Sequence, residues 1–297
     1  MKTHILRGAV GILTFVIGWS ISTVNFNSSC GRAVQRSKAP SAWDLLLSVQ
    51  NRDLSKIEGE PRAQLETAIE SLRGKVETSF LQPRLFSKVS TNNGEQKYVL
   101  VEMAPLLIIP GNSHLRINVF NPEGNLINSS EFRSGWRIDL GEIRFIHVQG
   151  IRGEVLEVES YPVINGADIA RQYYALVGDK MRLIRLEDSA QALTPNTYRL
   201  PNYTIGVTEV GQSAAVWQEA LLSNDVVEAL AALTWLGGEH CDVNDREPAH
   251  WHEDVSEARL VDEVRRRPAV KAAVKALQNS DNPWVRDAAI SAAEMMP

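Results

Sequence analysis

Cysteine is nearly absent from this chain: Cys30 and Cys241 are the only two in 297 residues. That excludes a disulfide-stapled scaffold, which needs several pairs, and a chain of this length can stand on its own cores. An excess of positive charge is missing too. The formal net charge is −5, so nothing draws the chain as a whole toward phosphate backbones, and nucleic acid is not expected as a partner. There is no G-x-S-x-G elbow, no G-x-x-x-x-G-K-[ST] loop and no G-x-G-x-x-G fingerprint. Acyl-transfer, P-loop and dinucleotide mechanisms therefore have no motif to stand on. His4 and His114 are isolated, and His147 sits in the apolar stretch Phe145-Ile146-His147-Val148, where a half-buried sheet position explains it better than a catalytic base.

Charge of either sign is lacking between Gly8 and Gly31, directly behind Lys2 and Arg7. Such a run reads as a signal peptide or membrane anchor over residues 1–31. Ser20-Ile21-Ser22 is a poor cleavage pattern, which favours a retained anchor. A short basic stub ahead of an apolar run places the body outside the cytoplasm, although Arg32, Arg36 and Lys38 nearly balance the positive-inside count. The expected address is the cell envelope.

What remains has ordinary globular composition, 44% hydrophobic and 23% charged. Residues 32–84 read as a linker and two short helices, Ala42 to Gln50 and Pro61 to Arg73, with Pro61 suited to a first turn and Gly74 to a stop. From about Leu85 the period changes to short, β-branched and aromatic runs between turn residues, which predicts an antiparallel β domain over 85–210, sandwich- or barrel-like. Nine strands are expected within Tyr98–Val101, His114–Phe120, Asn125–Ser129, Trp136–Leu140, Arg144–Val148, Val155–Val158, Tyr173–Val177, Met181–Leu186 and Tyr203–Val207. Asn121-Pro122-Glu123-Gly124 and Gly178-Asp179 supply two hairpin turns. The last hairpin is expected to bury one face and wet the other, with Arg171, Arg182 and Arg185 as solvated charges or an anion clamp. Past Gly211 five helices follow. Ser223 or Asn224 suits the cap of the second, and Gly237-Gly238 its end. The fold class is multidomain α+β.

Ser280-Asp281-Asn282-Pro283-Trp284-Val285-Arg286-Asp287-Ala288-Ala289-Ile290 joins a capping acid, a first-turn proline and small residues at helical spacing. This segment resembles the second half of a HEAT-like repeat of the short bacterial type. Leu222 to Leu233 looks like a degenerate copy without the Pro and the Arg. The resemblance covers the last quarter of the chain and implies a C-terminal HEAT-like helical domain, 211–297, that binds a protein partner. Trp217, Trp235, Trp251 and Trp284 are the candidate contacts, because aromatic side chains dominate interfaces.

One stretch concentrates metal-binding side chains. Between Glu239 and Asp254 lie three of the six histidines, and His240, Cys241, His250 and His252 form the best ligand set for Zn²⁺. His250-x-His252-x-Asp254 is also similar to part of the H-x-H-x-D-H motif of metallo-hydrolases, departing where Val255 replaces the last histidine. The leading expectation is a non-enzymatic, envelope-associated protein-binding or scaffold module that needs no cofactor. The alternative is a metal-dependent hydrolase or zinc-stabilised domain built on 239–254.

Overall fold

A computed structural model describes residues 40–74, 81–103, 113–134, 138–162, 170–188, 213–238 and 252–297. The expected anchor, the strand expected at Tyr203–Val207 and most of the 239–254 stretch lie outside these. Residues 40–297 form one compact unit. Among the described residues no helix is long and apolar enough to cross a membrane.

The unit opens with helices α1 (Ala42–Ser48) and α2 (Glu60–Arg73) around a 3-10 turn at Leu54–Lys56. Ser41 and Asp44 start α1 as a capping box, each side chain bonding the other's main-chain amide. Pro61 occupies the first turn of α2, as its fixed φ favours, and Gly74 follows the last.

Two four-stranded antiparallel sheets come next. The first runs in order β1 (Gln82–Ser90), β2 (Gln96–Met103), β3 (Ser113–Phe120) and β4 (Leu126–Ser134). The second runs β5 (Ile138–Ile146), β6 (Val155–Pro162), β7 (Ala170–Val177) and β8 (Lys180–Asp188). Both are plain meanders, mixed with helices into an α+β fold. The sequence pattern missed β1 as a strand, and it split β5 in two at the irregularity between Leu140 and Ile143. The two turns stand as read: Gly124 and Gly178 carry φ of 86° and 61°, and Asn121 and Asn125 close the first.

Both faces of both sheets are covered, and that changes the reading of the strands. One apolar cluster joins Val99, Val101, Ile117 and Val119 of the first sheet to Leu156, Tyr174, Leu176 and Met181 of the second, so the sheets face each other. The opposite face of the first sheet, with Phe86, Leu100 and Phe120, packs on Leu46, Leu54, Leu65 and Ile69 from the N-terminal helices. The opposite face of the second, with Val155, Tyr173, Ala175 and Ile184, packs on the C-terminal helices. The layers are helices, sheet, sheet, helices. The expected half-wet β7–β8 hairpin is therefore corrected: both of its faces pack against an apolar layer, with Arg171 left partly in solvent. Its broken alternation has a local cause, a bulge that leaves Ile184 as the extra residue where Tyr173 pairs Arg185 and Tyr174 pairs Leu183.

Helices α3 (Ala214–Leu222), α4 (Val226–Gly237), α5 (His252–Arg266), α6 (Pro268–Leu277) and α7 (Pro283–Glu294) complete the chain. Their apolar residues belong to the same cluster as the second sheet, so the expected boundary at 210/211 does not separate two cores. Asp225, not Ser223 or Asn224, caps α4 by accepting from the amides of Val227 and Glu228, and Asn282, not the preceding aspartate, caps α7. Gly237 lets α4 approach α7, since a Cβ there would meet Ser291 Oγ at 3.2 Å and the amide of Ala292 at 3.3 Å. Arg265 of α5 is buried and donates to the carbonyls of Leu236 and Gly238, closing the C-terminal end of α4 with charge.

The β5–β6 connection is latched to the end of β1: Glu154 N–H donates to Ser90 O at 3.1 Å, and Ser90 N–H donates to Glu154 Oε2 at 2.9 Å. Gly153 makes this approach possible, with φ 86° and a virtual Cβ only 2.7 Å from Ser90 O. Replacing it with alanine is expected to cost about 2 kcal/mol, read as a lowered urea midpoint, because strain and a backbone collision add. Gly178→Ala, strained at φ 61° but in open space, is expected to cost about half that.

Candidate functional site: an ionic layer and an adjoining cleft

Strand register alone places charges together on the second sheet. Arg144, Glu157, Tyr173 and Arg185 form one row across β5, β6, β7 and β8. In the next row lie Glu159, Arg171 and Glu187. Because side chains on a strand alternate, these rows share the face that also carries Val155 and Ala175 toward the helices.

The pairing within the layer is dense. Arg144 Nε donates to Glu157 Oε2 at 2.7 Å and its terminal nitrogen to Glu142 at 2.8 Å. Arg171 donates to Glu159 at 3.1 Å, and Arg185 donates to Glu187 at 2.6 Å while standing 3.5 Å from Asp287 of α7. Tyr173, only 5% exposed, sets its hydroxyl 3.2 Å from Glu157 Oε1 and 3.0 Å from Glu187 Oε2. Burial first, and then the charge of Glu187, push its pKa well above the ordinary phenol value. Hydrogen bonds to Glu157 and Glu159 raise Arg144 and Arg171 respectively. A phenol carries one proton and can serve one carboxylate at a time. With three guanidiniums around it, this layer acts as an ionic clasp between sheet and helix.

Trp284 extends the clasp. Its ring meets Tyr173 edge-on at 5.0 Å, and the Arg185 guanidinium lies 4.7 Å from its centre. Arg171 and Arg185 thus face carboxylates, which corrects the anion-clamp reading; Arg182 lies over Trp217 at 5.0 Å.

A second polar cluster lies under α2. Glu102, fully buried on β2, accepts from Arg73 of α2 and from Asn118 Nδ2 at 2.7 Å, and Ser129 Oγ donates to Asn118 Oδ1 at 2.8 Å. Burial and the nearby Arg116 pull the Arg73 pKa below its ordinary value. This is an ion pair held in place by neighbours rather than a surface bridge.

The sequence-derived candidates fare unevenly. His240, Cys241, His250 and Trp251 lie outside the described residues, and His252 begins α5 with its side chain outside them too. Among the described residues no three His, Cys, Asp or Glu side chains are grouped to hold a metal ion. Trp217 and Trp235 are buried, 3% and 6% exposed, with their rings stacked at 4.2 Å and 4°. As exposed contacts they are corrected: they are core. Trp284 is half-buried.

Beside the ionic layer opens a cleft of about 540 Å³, between edge strands β1 and β5 and the segment at 51–56. Arg144 lines it while holding Glu157, so the two features adjoin. Asn51 stands at its rim with φ 60°, the one non-glycine residue in the left-handed region among those described. Its amide donates to Phe86 O at 2.7 Å and its side chain accepts from Ser87. Asparagine tolerates that conformation better than most residues. The cleft brings together residues far apart in the chain, and no local motif announces it. The charged layer did leave a trace, acids and arginines two residues apart in strands that otherwise read as apolar.

Comparison with family models, with curated proteins and with solved structures finds no match to this chain.

Two outcomes follow from the pairing. Tyr173 keeps its proton in the folded state at a pH where the unfolded phenol, near 10, has lost it. Its contribution to stability is complete below that value and drains as pH rises above it. Denaturant titrations from pH 8 to 11 are expected to show a shallower alkaline loss for Tyr173→Phe than for the wild type, with about 1 kcal/mol lost at neutral pH. Arg73→Ala, which takes the guanidinium away from buried Glu102 and leaves it the Asn118 hydrogen bond, is expected to cost about 3–5 kcal/mol by equilibrium unfolding.

Proposed function

We propose that this chain is a non-enzymatic, envelope-associated scaffold that binds a protein partner through its C-terminal helices, with residues 1–31 as signal or anchor. In this reading the two facing sheets form a sandwich that serves as a rigid base, and α3–α7 form a HEAT-like pack laid upon it. The body stands outside the cytoplasm.

The observation that carries the reading is on α3. Val216 and Leu222 are 41% and 53% exposed, the exposed large hydrophobic side chains among the described residues. Helical spacing puts them on one outer face with exposed Ala215 and Glu219 between. On the second sheet Arg144 pairs with Glu157, Arg171 with Glu159 and Arg185 with Glu187, which suits a fixed framework better than acid–base chemistry. Contact aromatics are replaced in this role by aliphatic groups, since Trp217 and Trp235 belong to the core.

Removing the helices is not a fair test, because they cover one face of the second sheet. Full-length protein carrying Val216→Glu and Leu222→Glu keeps that cover. In pull-downs from native membranes the double variant is expected to lose the partner recovered by the wild type while its circular dichroism is unchanged. Equal recovery from both would overturn the assignment.

A further inference from the structure

We propose that the cleft between β1 and β5 binds a compact organic anion bearing carboxylate or phosphate, held by Arg84 and Lys88. The size fits: about 540 Å³ lies within the range of small-molecule sites. Its charge balance points to the sign of the ligand. All three carboxylates of the lining are already engaged. Asp53 accepts from the Ser55 amide at 3.0 Å and pairs with Lys56 at 3.4 Å, Glu142 holds Arg144 at 2.8 Å, and Glu154 holds the Ser90 amide at 2.9 Å. Lys56 and Arg144 are thereby paired. Arg84 and Lys88 are not: among the described residues neither has a hydrogen-bond or ion-pair partner from its side chain. With four cations against three carboxylates, Glu154 being bonded only to a neutral amide, the lining carries a net charge of +1 that raises the local potential, although the whole chain is acidic.

The shape selects a compact ligand over an extended peptide. A peptide adding itself to the edge of β1 needs a free row of main-chain groups. That row is interrupted at both ends, where Asn51 occupies Phe86 O with Asp53 bridging Leu85, and where Glu154 occupies Ser90. Between them the Lys88 carbonyl accepts from the Ser87 hydroxyl at 3.4 Å. The cleft and the α3 face are separate surfaces, so this assignment and the scaffold reading fail or stand independently.

Calorimetric titration of the full-length chain at fixed ionic strength tests it, with citrate, inorganic pyrophosphate, a glutamate-rich peptide and spermidine as probes. Citrate or pyrophosphate is expected to bind, and the stronger of the two tells whether carboxylate or phosphate is the preferred group. Arg84→Gln and Lys88→Gln are expected to weaken that binding roughly tenfold each, as the loss of one charge-assisted contact predicts. Glu142→Gln, which removes one carboxylate from the lining and leaves Arg144 held by Glu157, is expected to strengthen it. Thermal unfolding of each variant without ligand reads its folding separately. Binding of neither anion, equal binding by the Arg84→Gln/Lys88→Gln double variant, or binding of the acidic peptide or spermidine alone would overturn the proposal.

Discussion

Burial of each sheet on both faces is the constraint on which the rest depends. A four-stranded antiparallel sheet with one wet face needs polar residues at every second position, whereas these strands must be apolar, or internally neutralised, on both sides. Runs such as Tyr98-Val99-Leu100-Val101 satisfy this directly. Where a charge falls on a covered face, a partner is placed to meet it, as Arg73 meets Glu102 and Arg144 meets Glu157. The ionic layer on the second sheet follows from the same requirement. It lies where the helical cover thins, with Glu157 nearly enclosed while Arg144 and Arg171 reach partly into solvent.

Much of the local structure was legible in the sequence. Proline and glycine punctuation located α2, α6 and α7 to within a residue or so, because those residues act through backbone geometry that needs no tertiary partner. The turns at Gly124 and Gly178 were legible for the same reason. Strand β1 was not. Gln82-Pro83-Arg84-Leu85-Phe86-Ser87-Lys88-Val89-Ser90 lacks alternation because Phe86 faces the helices and Leu85 and Val89 face the other sheet, with a register shift between Pro83 and Leu85. Two-sided burial erases the period that a one-sided strand displays.

Function was less legible than fold, for a physical reason. Tryptophans 217, 235 and 284 look alike in sequence, yet two are stacked in the core and one sits half-buried beneath a guanidinium. Which of these an aromatic becomes is decided by strands distant in the chain, as Trp217 meets Arg182 and Trp284 meets Tyr173 and Arg185. The β1–β5 cleft is an extreme case. Its walls come from Asn51, Lys88 and Arg144, and its free charge emerges only once every neighbouring carboxylate has been assigned a donor.

The helix caps carry a consequence for how the C-terminal layer is seated. Asp225 spends one oxygen on the first amides of α4 and takes Asn92 of the β1–β2 turn with the other. Asn282 caps α7 through Oδ1 while its amide nitrogen reaches Gly150 O at 3.1 Å. Each cap is therefore also a bolt into a turn of the sheets. A serine at either place could start the helix but is too short to fasten it, so helix nucleation and the angular setting of the whole layer are separable at the level of a single atom.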